Sequence, residues 1–322
     1  MSILRIATSE ADFTSMGGTA STNTTHYDPD RVEFCFELDS AENSTLIHPQ
    51  NSSGETWYHF VWSQDGSNSF HDTITLTIKD SQNNTLTSIR QSGLATYFRI
   101  NGDVFFEGPA TNVSINTPII FDIQVIVNGT TDITVRGYMN SALQFDSTQA
   151  NTQNKGQPAD VEFSNYYTGN FSHSKFLSEV IVADEDTRGF RLREFKPQSF
   201  GVFQQWDGTV SSVVDPSLAT GVSTDVADER VSFGVSNLEN VAGGDIINRV
   251  VAQSYAQRGT SGLTSINHFF RYDDGNVQDG SDIALELLGD WYVDEYPNNP
   301  RTAAPWVPDD LSGIQLGVRS RT

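Results

Sequence analysis

The sequence predicts an all-β protein: two β-sandwich, jelly-roll-like domains in tandem, with one short helix near the C-terminus. Three observations carry this. Apolar and polar residues alternate over short runs, turn chemistry separates the runs, and helical spacing of apolar residues is almost absent. In residues 31–38, Val32, Phe34, Phe36 and Leu38 fall on one face, and Arg31, Glu33, Cys35 and Glu37 on the other. Ile74, Leu76 and Ile78 form one face of 73–79, and Phe121, Ile123, Val125 and Val127 one face of 121–127. A helix would scatter these residues around its circumference, and their β-branched content favours strands. Asn101-Gly102 separates runs 95–100 and 104–107, and Asn128-Gly129 separates 121–127 and 133–138. Asn-Gly suits turns that need positive φ, so both predict hairpins, with 81–84 a looser third. Residues 146–160, rich in Gln, Asn and Thr, read as a surface loop, and strands resume at 161–166 and 176–182. The polar run 184–189 marks a domain boundary near residue 188. A second strand series follows at 190–195, 231–235, 246–255, 268–272 and 283–287. Pro308, Asp309 and Asp310 supply a helix-start signal, with Leu311 and Ile314 three apart. The expected domains are therefore 31–188 and 189–322. Residues 1–30, of which Met1–Thr25 are small and polar after Ile3, Leu4 and Ile6, are expected to be an arm that orders on a neighbouring subunit.

A chain of 322 residues suffices for two domains with their own cores. It carries 41 acidic and 19 basic residues, a net charge of −22. That balance argues against nucleic acid as a partner and against an anionic membrane surface. No apolar run approaches eighteen residues, so membrane insertion is not expected. Met1 to Glu10 show no charged region followed by an apolar one, and Cys35 is the single cysteine. Folding in a reducing cytoplasm is the expectation, with neither an intrachain disulfide nor a cysteine-rich zinc site. The seven Asn-x-Ser/Thr triplets then reflect composition rather than glycosylation.

No cofactor is expected. The six histidines, at 26, 48, 59, 71, 173 and 268, lack the close spacing of a metal motif. Asp273, Asp274, Asn276, Asp279 and Asp282 form an oxygen-rich loop of the kind that holds calcium. It lacks the EF-hand pattern and reads as a solvated turn, as does Asp28-Pro29-Asp30. P-loops, dinucleotide fingerprints and nucleophile elbows are absent, and no motif points to a Ser–His–Asp triad. Aromatics are the remaining candidates. Trp57, Tyr58, Phe60 and Trp62 crowd one predicted strand on both its faces, so some are expected to point away from the core. Tyr166 and Tyr167 are adjacent, so one is expected to face outward. Trp57, Tyr58, Trp62, Tyr166 and Tyr167 are therefore candidate carbohydrate or partner contacts, with burial by a partner subunit favoured over sugar stacking.

Two resemblances bear on function. Glu37-Leu38-Asp39-Ser40-Ala41-Glu42 has the spacing Glu-x-Asp-x-x-Glu and resembles the catalytic strand of laminarinase-like glycoside hydrolases. The resemblance implies Glu37 as nucleophile and Glu42 as acid/base, with Asp39 between them; retaining chemistry needs such carboxyls about 5 Å apart. That family has apolar residues after the Asp, where this chain has Ser40 and Ala41. The other reading is an acidic strand end.

The run Ser178-Glu179-Val180-Ile181-Val182-Ala183-Asp184-Glu185-Asp186-Thr187-Arg188-Gly189 resembles a segment of tailed-bacteriophage virion proteins, in which it closes a concanavalin-A-like sandwich. Those proteins continue to a Trp-containing strand, matched by Gln205-Trp206-Asp207-Gly208. Their second module ends much as this chain does, from Pro305-Trp306-Val307-Pro308-Asp309-Asp310-Leu311 through Ile314 to Gly317-Val318. The resemblance covers residues 55–322. It implies a structural, non-enzymatic part of the particle, at the tail tip or fibre, with a role in host attachment. The alternative position is a capsid decoration (cement) protein, and the alternative of another class is a carbohydrate-active lectin or a glycoside hydrolase using Glu37 and Glu42. A particle component of the first kind is assembled in the bacterial cytoplasm and resides in the virion. It is expected to be a homotrimer by family habit, with other virion proteins and a host-surface glycan as partners.

Overall fold

The computed structural model describes residues 3–39, 41–51, 53–66, 68–93, 95–101, 105–108, 111–165, 173–214, 219–236, 241, 244–259 and 262–322. The chain is nearly all β and divides into two compact units, Met1–Arg193 and Glu194–Thr322. No helix among the described residues is long and apolar enough to cross a membrane.

Among the described residues unit 1 holds fifteen strands: β1 (Ile3–Ala7), β2 (Thr19–Ser21), β3 (Cys35–Leu38), β4 (Asn43–Ile47), β5 (Glu55–Gln64), β6 (Asn68–Asp80), β7 (Thr85–Gly93), β8 (Ala95–Asn101), β9 (Phe105–Glu107), β10 (Thr111–Asn112), β11 (Ile119–Asn128), β12 (Asp132–Met139), β13 (Ala142–Ala150), β14 (Pro158–Ser164) and β15 (Lys175–Ala183). They form two sheets. The larger has the order β13-β12-β11-β5-β15-β3-β2, with β1 also on β15. The smaller has the order β10-β8-β7-β6-β14-β4, with β9 on β8. Alternate residues of both sheets meet in one core. Tyr58, Phe60 and Trp62 of β5 and Phe121, Ile123, Val125 and Val127 of β11 face Leu76, Ile78, Leu86, Ile89, Phe98 and Phe163. The Phe60 ring stacks on Phe121 at 5.4 Å and meets Phe163 edge-on at 5.4 Å. Phe98 lies so close over β12 that a Cβ at Gly137 would come within 2.3 Å of its ring. At Asn128-Gly129 the turn is one residue longer than a two-residue hairpin. Asn128 still pairs with Asp132, Gly129 has φ +54°, and the Thr131 N–H donates to the Asn128 carbonyl at 3.0 Å. The Asn101-Gly102 turn lies outside the described residues from Gly102 on.

The structure corrects the expected arm. Residues 3–30 are built into unit 1: β1 pairs with β15, with Ile6 opposite Ile181 and Ala7 opposite Val180, and Phe13 enters the core. The physical reason lies at the edge of β15. On that edge of β15, β3 reaches Lys175, Phe176 and Leu177, so the backbone of residues 180–183 needs another partner, and β1 supplies it. Deleting residues 2–8 is accordingly expected to destabilise unit 1 by roughly 3–5 kcal/mol, from the lost burial of Ile3 and Ile6 alone. Thermal unfolding checks this; an unchanged transition would show that the segment does not pair in solution. Two further strand boundaries differ. Run 31–38 is strand only from Cys35, and the expected loop 146–160 shrinks to 151–157 because β13 runs to Ala150 and β14 starts at Pro158.

Unit 2 contains β16 (Pro197–Gln204), α1 (Val210–Val214), β17 (Arg230–Val235), β18 (Val250–Ala256), β19 (Ser265–Arg271), β20 (Val277–Asp279), β21 (Ile283–Ala284), β22 (Asp290–Tyr296) and β23 (Gln315–Arg321). A six-stranded sheet runs β16-β17-β23-β19-β20, with β21 on β19, and β18 and β22 form a separate ribbon. Ala252 and Tyr296 of the ribbon pack with Phe270, Tyr272, Trp306, Leu311 and Ile314. The expected strand 190–195 is absent; the strand begins at Pro197 instead. The expected C-terminal helix is a single 3-10 turn, Pro308–Leu311, in which Asp310 accepts the Val307 N–H at 2.9 Å.

Candidate functional site

The chemistry-bearing side chains of unit 1 converge on the outer face of the larger sheet. β5 is its central strand, flanked by β11 and β15. Tyr58 and Trp62 point into the sandwich and Trp57 points out, yet all three are buried, at 1%, 3% and 3% exposure. Trp57 thus points away from the core as expected, and its cover comes from the chain itself: residues 184–193 cross the outer face, with the Arg188 guanidinium over the Trp57 ring. Trp57 stacks on Tyr138 at 5.7 Å, and the Arg188 guanidinium lies over both rings, 5.6 and 4.5 Å from their centroids. Tyr166 and Tyr167 lie outside the described residues.

Beneath this crossing segment sit two buried polar groupings. In the first, the Thr187 hydroxyl donates to Asp122 Oδ1 at 2.8 Å, and His59 Nδ1 meets the same oxygen at 2.8 Å. His59, Asp122 and Thr187 are fully buried. In the second, β15 carries a register break between Ser178 and Ile181, and Glu179 there has φ +52°. That left-handed conformation is unfavourable for a residue with a Cβ. Glu179 is held by Arg191, whose Nε and guanidinium NH2 donate to its two oxygens at 2.9 and 2.7 Å, and by the Leu192 N–H at 3.0 Å. The Glu179 hydrogen bond raises the Arg191 pKa above its ordinary value. Leu192 then packs on Tyr27, Val32, Cys35 and Phe176. Cys35, read from sequence as part of a polar face, is fully buried there, and burial pushes its thiol up to about 12. His26 stacks flat on Phe176 at 3.6 Å and meets Ser63 Oγ at 2.9 Å; burial lowers its pKa.

A cation lies between the two sheets of the sandwich. Lys175 is 1% exposed; its ammonium donates to Thr75 Oγ1 of the facing sheet at 2.9 Å and lies 5.6 Å from the Trp62 ring centroid. Burial pulls its pKa down to about 7.

The two carboxylates of the glycosidase resemblance do not share a strand. β3 ends at Leu38, and the chain turns through Ala41, at φ +70°. Glu42 then lies at the entry to β4, in the opposite sheet from Glu37. The Glu42 carboxylate accepts the Asp39 N–H at 2.7 Å, which makes it a cap of this turn. The Asp273–Asp282 oxygens are likewise occupied. Asp279 accepts from Arg230 and Arg319, Asp282 from Arg321 and Asn267, and Asp274 pairs with Arg301. Asp228 bridges Arg319 and Arg321, which completes an alternating row of three arginines and three aspartates. Among the described residues no group of three or more His, Cys, Asp or Glu is placed to hold a metal ion.

Sequence reading missed His59, Asp122, Thr187, Glu179 and Arg191. No local pattern marks them, because the partners meet only once β5, β11 and β15 have paired and residues 184–193 cross their outer face.

No protein-family profile matches the chain, and no curated protein matches it. Solved structures resemble it at low identity. A botulinum neurotoxin serotype C1 binding domain has a TM-score of 0.42 at 12% identity, covering 57% of this chain and 48% of its own. An endo-β-1,4-glucuronan lyase from the fungus Trichoderma reesei has a TM-score of 0.40 at 11% identity, covering 55% and 92%. Alginate lyase Aly36B has a TM-score of 0.40 at 9% identity, covering 60% and 100%. The chain thus spans about half the length of the toxin domain it resembles.

Proposed function

We propose that this protein is a structural component of a tailed-phage particle, placed at the tail tip or fibre and serving host attachment as a homotrimer. One observation carries the reading. The segment that resembles phage virion proteins, 178–189, supplies the parts that close unit 1: the Glu179 register break, the Thr187 hydroxyl on Asp122 and the Arg188 guanidinium over Trp57 and Tyr138. Residues that carry the resemblance are thus spent on holding a sheet face shut, which suits a part of an assembled particle. High net negative charge keeps such a particle soluble in salty water, where surface charges are screened within about 8 Å. In this reading one unit docks on the particle, and outer loops meet the host surface, a glycan being the ligand class.

The glycosidase alternative draws less support, since Glu42 caps a turn away from the strand that bears Glu37. The deciding experiment is labelled-antibody electron microscopy of purified virions. Label at the tail end is the expected result. Label over the head would reassign the protein to capsid decoration, and no label on any particle would overturn the virion reading.

A further inference from the structure

Three residues of unit 2 that no sequence motif links meet between the ribbon and the six-stranded sheet. Ser254 lies on β18, Asp294 on β22 and His268 on β19. In the ribbon Asp294 pairs with Ala252 and Tyr292 with Ser254, so alternation puts Ser254 and Asp294 on the face that also carries buried Ala252 and Tyr296. His268 meets them from the sheet. Its Nε2 lies 2.9 Å from Ser254 Oγ, and its Nδ1 lies 3.7 Å from Asp294 Oδ2. The Tyr296 hydroxyl donates to that same Oδ2 at 2.8 Å and fixes the carboxylate. His268 Nδ1 makes no hydrogen bond at this separation, and the Asp294 carboxylate is the charged group that faces it. His268 is 1% exposed, whereas Ser254 and Asp294 stay partly open to solvent. Gly280 leaves the space for this arrangement. Its N–H donates to the His268 carbonyl at 2.7 Å, and a Cβ there would come within 2.5 Å of the Tyr296 hydroxyl and 2.7 Å of Asp294 Oδ2.

We propose that Ser254, His268 and Asp294 form an acyl-transfer site whose substrate is a carboxylic ester. Ser254 Oγ attacks the ester carbonyl carbon as its proton passes to His268 Nε2. The ester C–O bond breaks, and the departing alkoxide takes that proton and leaves as the alcohol. Water then attacks the acyl-serine with His268 again as base, and the carboxylic acid leaves as the proton returns to Ser254 Oγ. Asp294 orients the imidazole and stabilises the imidazolium formed at each stage. An ester is assigned over an amide because its alkoxide leaves more readily than an amine anion. The site goes beyond the structural role proposed above and departs from the non-enzymatic expectation; it does not depend on where in a particle the protein resides.

The test uses the full chain with a fluorophosphonate probe and p-nitrophenyl acetate. The expected result is a covalent adduct mapped by mass spectrometry to Ser254, with saturable ester hydrolysis. Ser254→Ala should abolish both while leaving the melting transition in place. Asp294→Asn should lower kcat by roughly 10²–10⁴-fold while Ser254 remains in place. Absence of an adduct at Ser254 in the folded wild type would overturn the proposal, as would hydrolysis unchanged in Ser254→Ala. Should that variant not fold, the wild-type adduct map alone decides.

Discussion

Arg191→Ala is expected to destabilise unit 1 by about 2–4 kcal/mol, because it strands a buried carboxylate. Glu179 has no exposed side-chain surface, and Arg191 supplies two of its three charge-assisted donors. The arginine itself is about one-third exposed, so its own desolvation is only partly at stake. The penalty falls on Glu179, left with the Leu192 N–H inside a sheet whose backbone is already in a left-handed conformation there. Arg191→Lys should recover little, since an ammonium cannot span both oxygens. Adding Glu179→Gln to Arg191→Ala should recover more, since a neutral amide tolerates burial better than an unpaired charge. Urea denaturation of the four proteins measures these differences. An Arg191→Ala shift within 0.5 kcal/mol of wild type would show that the crossing segment is held without this pair.

Lys175→Met should work in the opposite direction and raise stability by about 2 kcal/mol at pH 6. The sign follows from proton linkage. The amine has a pKa of about 7 in the folded chain and the ordinary 10.5 when unfolded. Above about pH 10.5 it is neutral in both states and costs nothing. As pH falls the unfolded chain binds the proton first, so folding loses free energy progressively, and the full cost is in place below about pH 7. Methionine matches the aliphatic stem and removes that cost, less about 1 kcal/mol for the hydrogen bond that Thr75 loses. The advantage of the variant should therefore be largest at pH 6 and fade by pH 10. Melting curves across that range test it, and an advantage that does not change with pH would assign the effect to packing instead.

How much of this was legible in the sequence varies with the range of the interaction. The alternation in 121–127 reported both the strand and its buried face, because Phe121, Ile123, Val125 and Val127 all enter the one core of the sandwich. The alternation around Trp57 misled, because β5 is covered on both faces: by the facing sheet on one side and by a segment more than a hundred residues later on the other. Alternation reports a solvated face only where nothing crosses it. The Glu37–Glu42 spacing misled for a local reason. The family geometry needs an uninterrupted strand, and the left-handed residue at Ala41 folds the chain into the opposite sheet. The Asp273–Asp282 run held its true partners out of view, since the arginines that neutralise it come from β17, β23 and a loop at residue 301. Ser254, His268 and Asp294 were unreadable for the same reason: each belongs to a different strand, and only the packing of ribbon on sheet joins them.

The pairing of β1 with β15 also sets when unit 1 is able to fold. β1 and β3 find their partner β15 only when residues 175–183 have been made, and the cover over Trp57 arrives later still, with residues 184–193. At ordinary translation speeds β5 waits roughly 6–24 s for β15, its neighbour in the sheet, to be made. Contacts of such long sequence separation are slow to form even in the full-length chain. During that interval the apolar strands in the middle of the unit are open to one another and to other chains, so correct closure competes with aggregation until the last strand of the unit has been made.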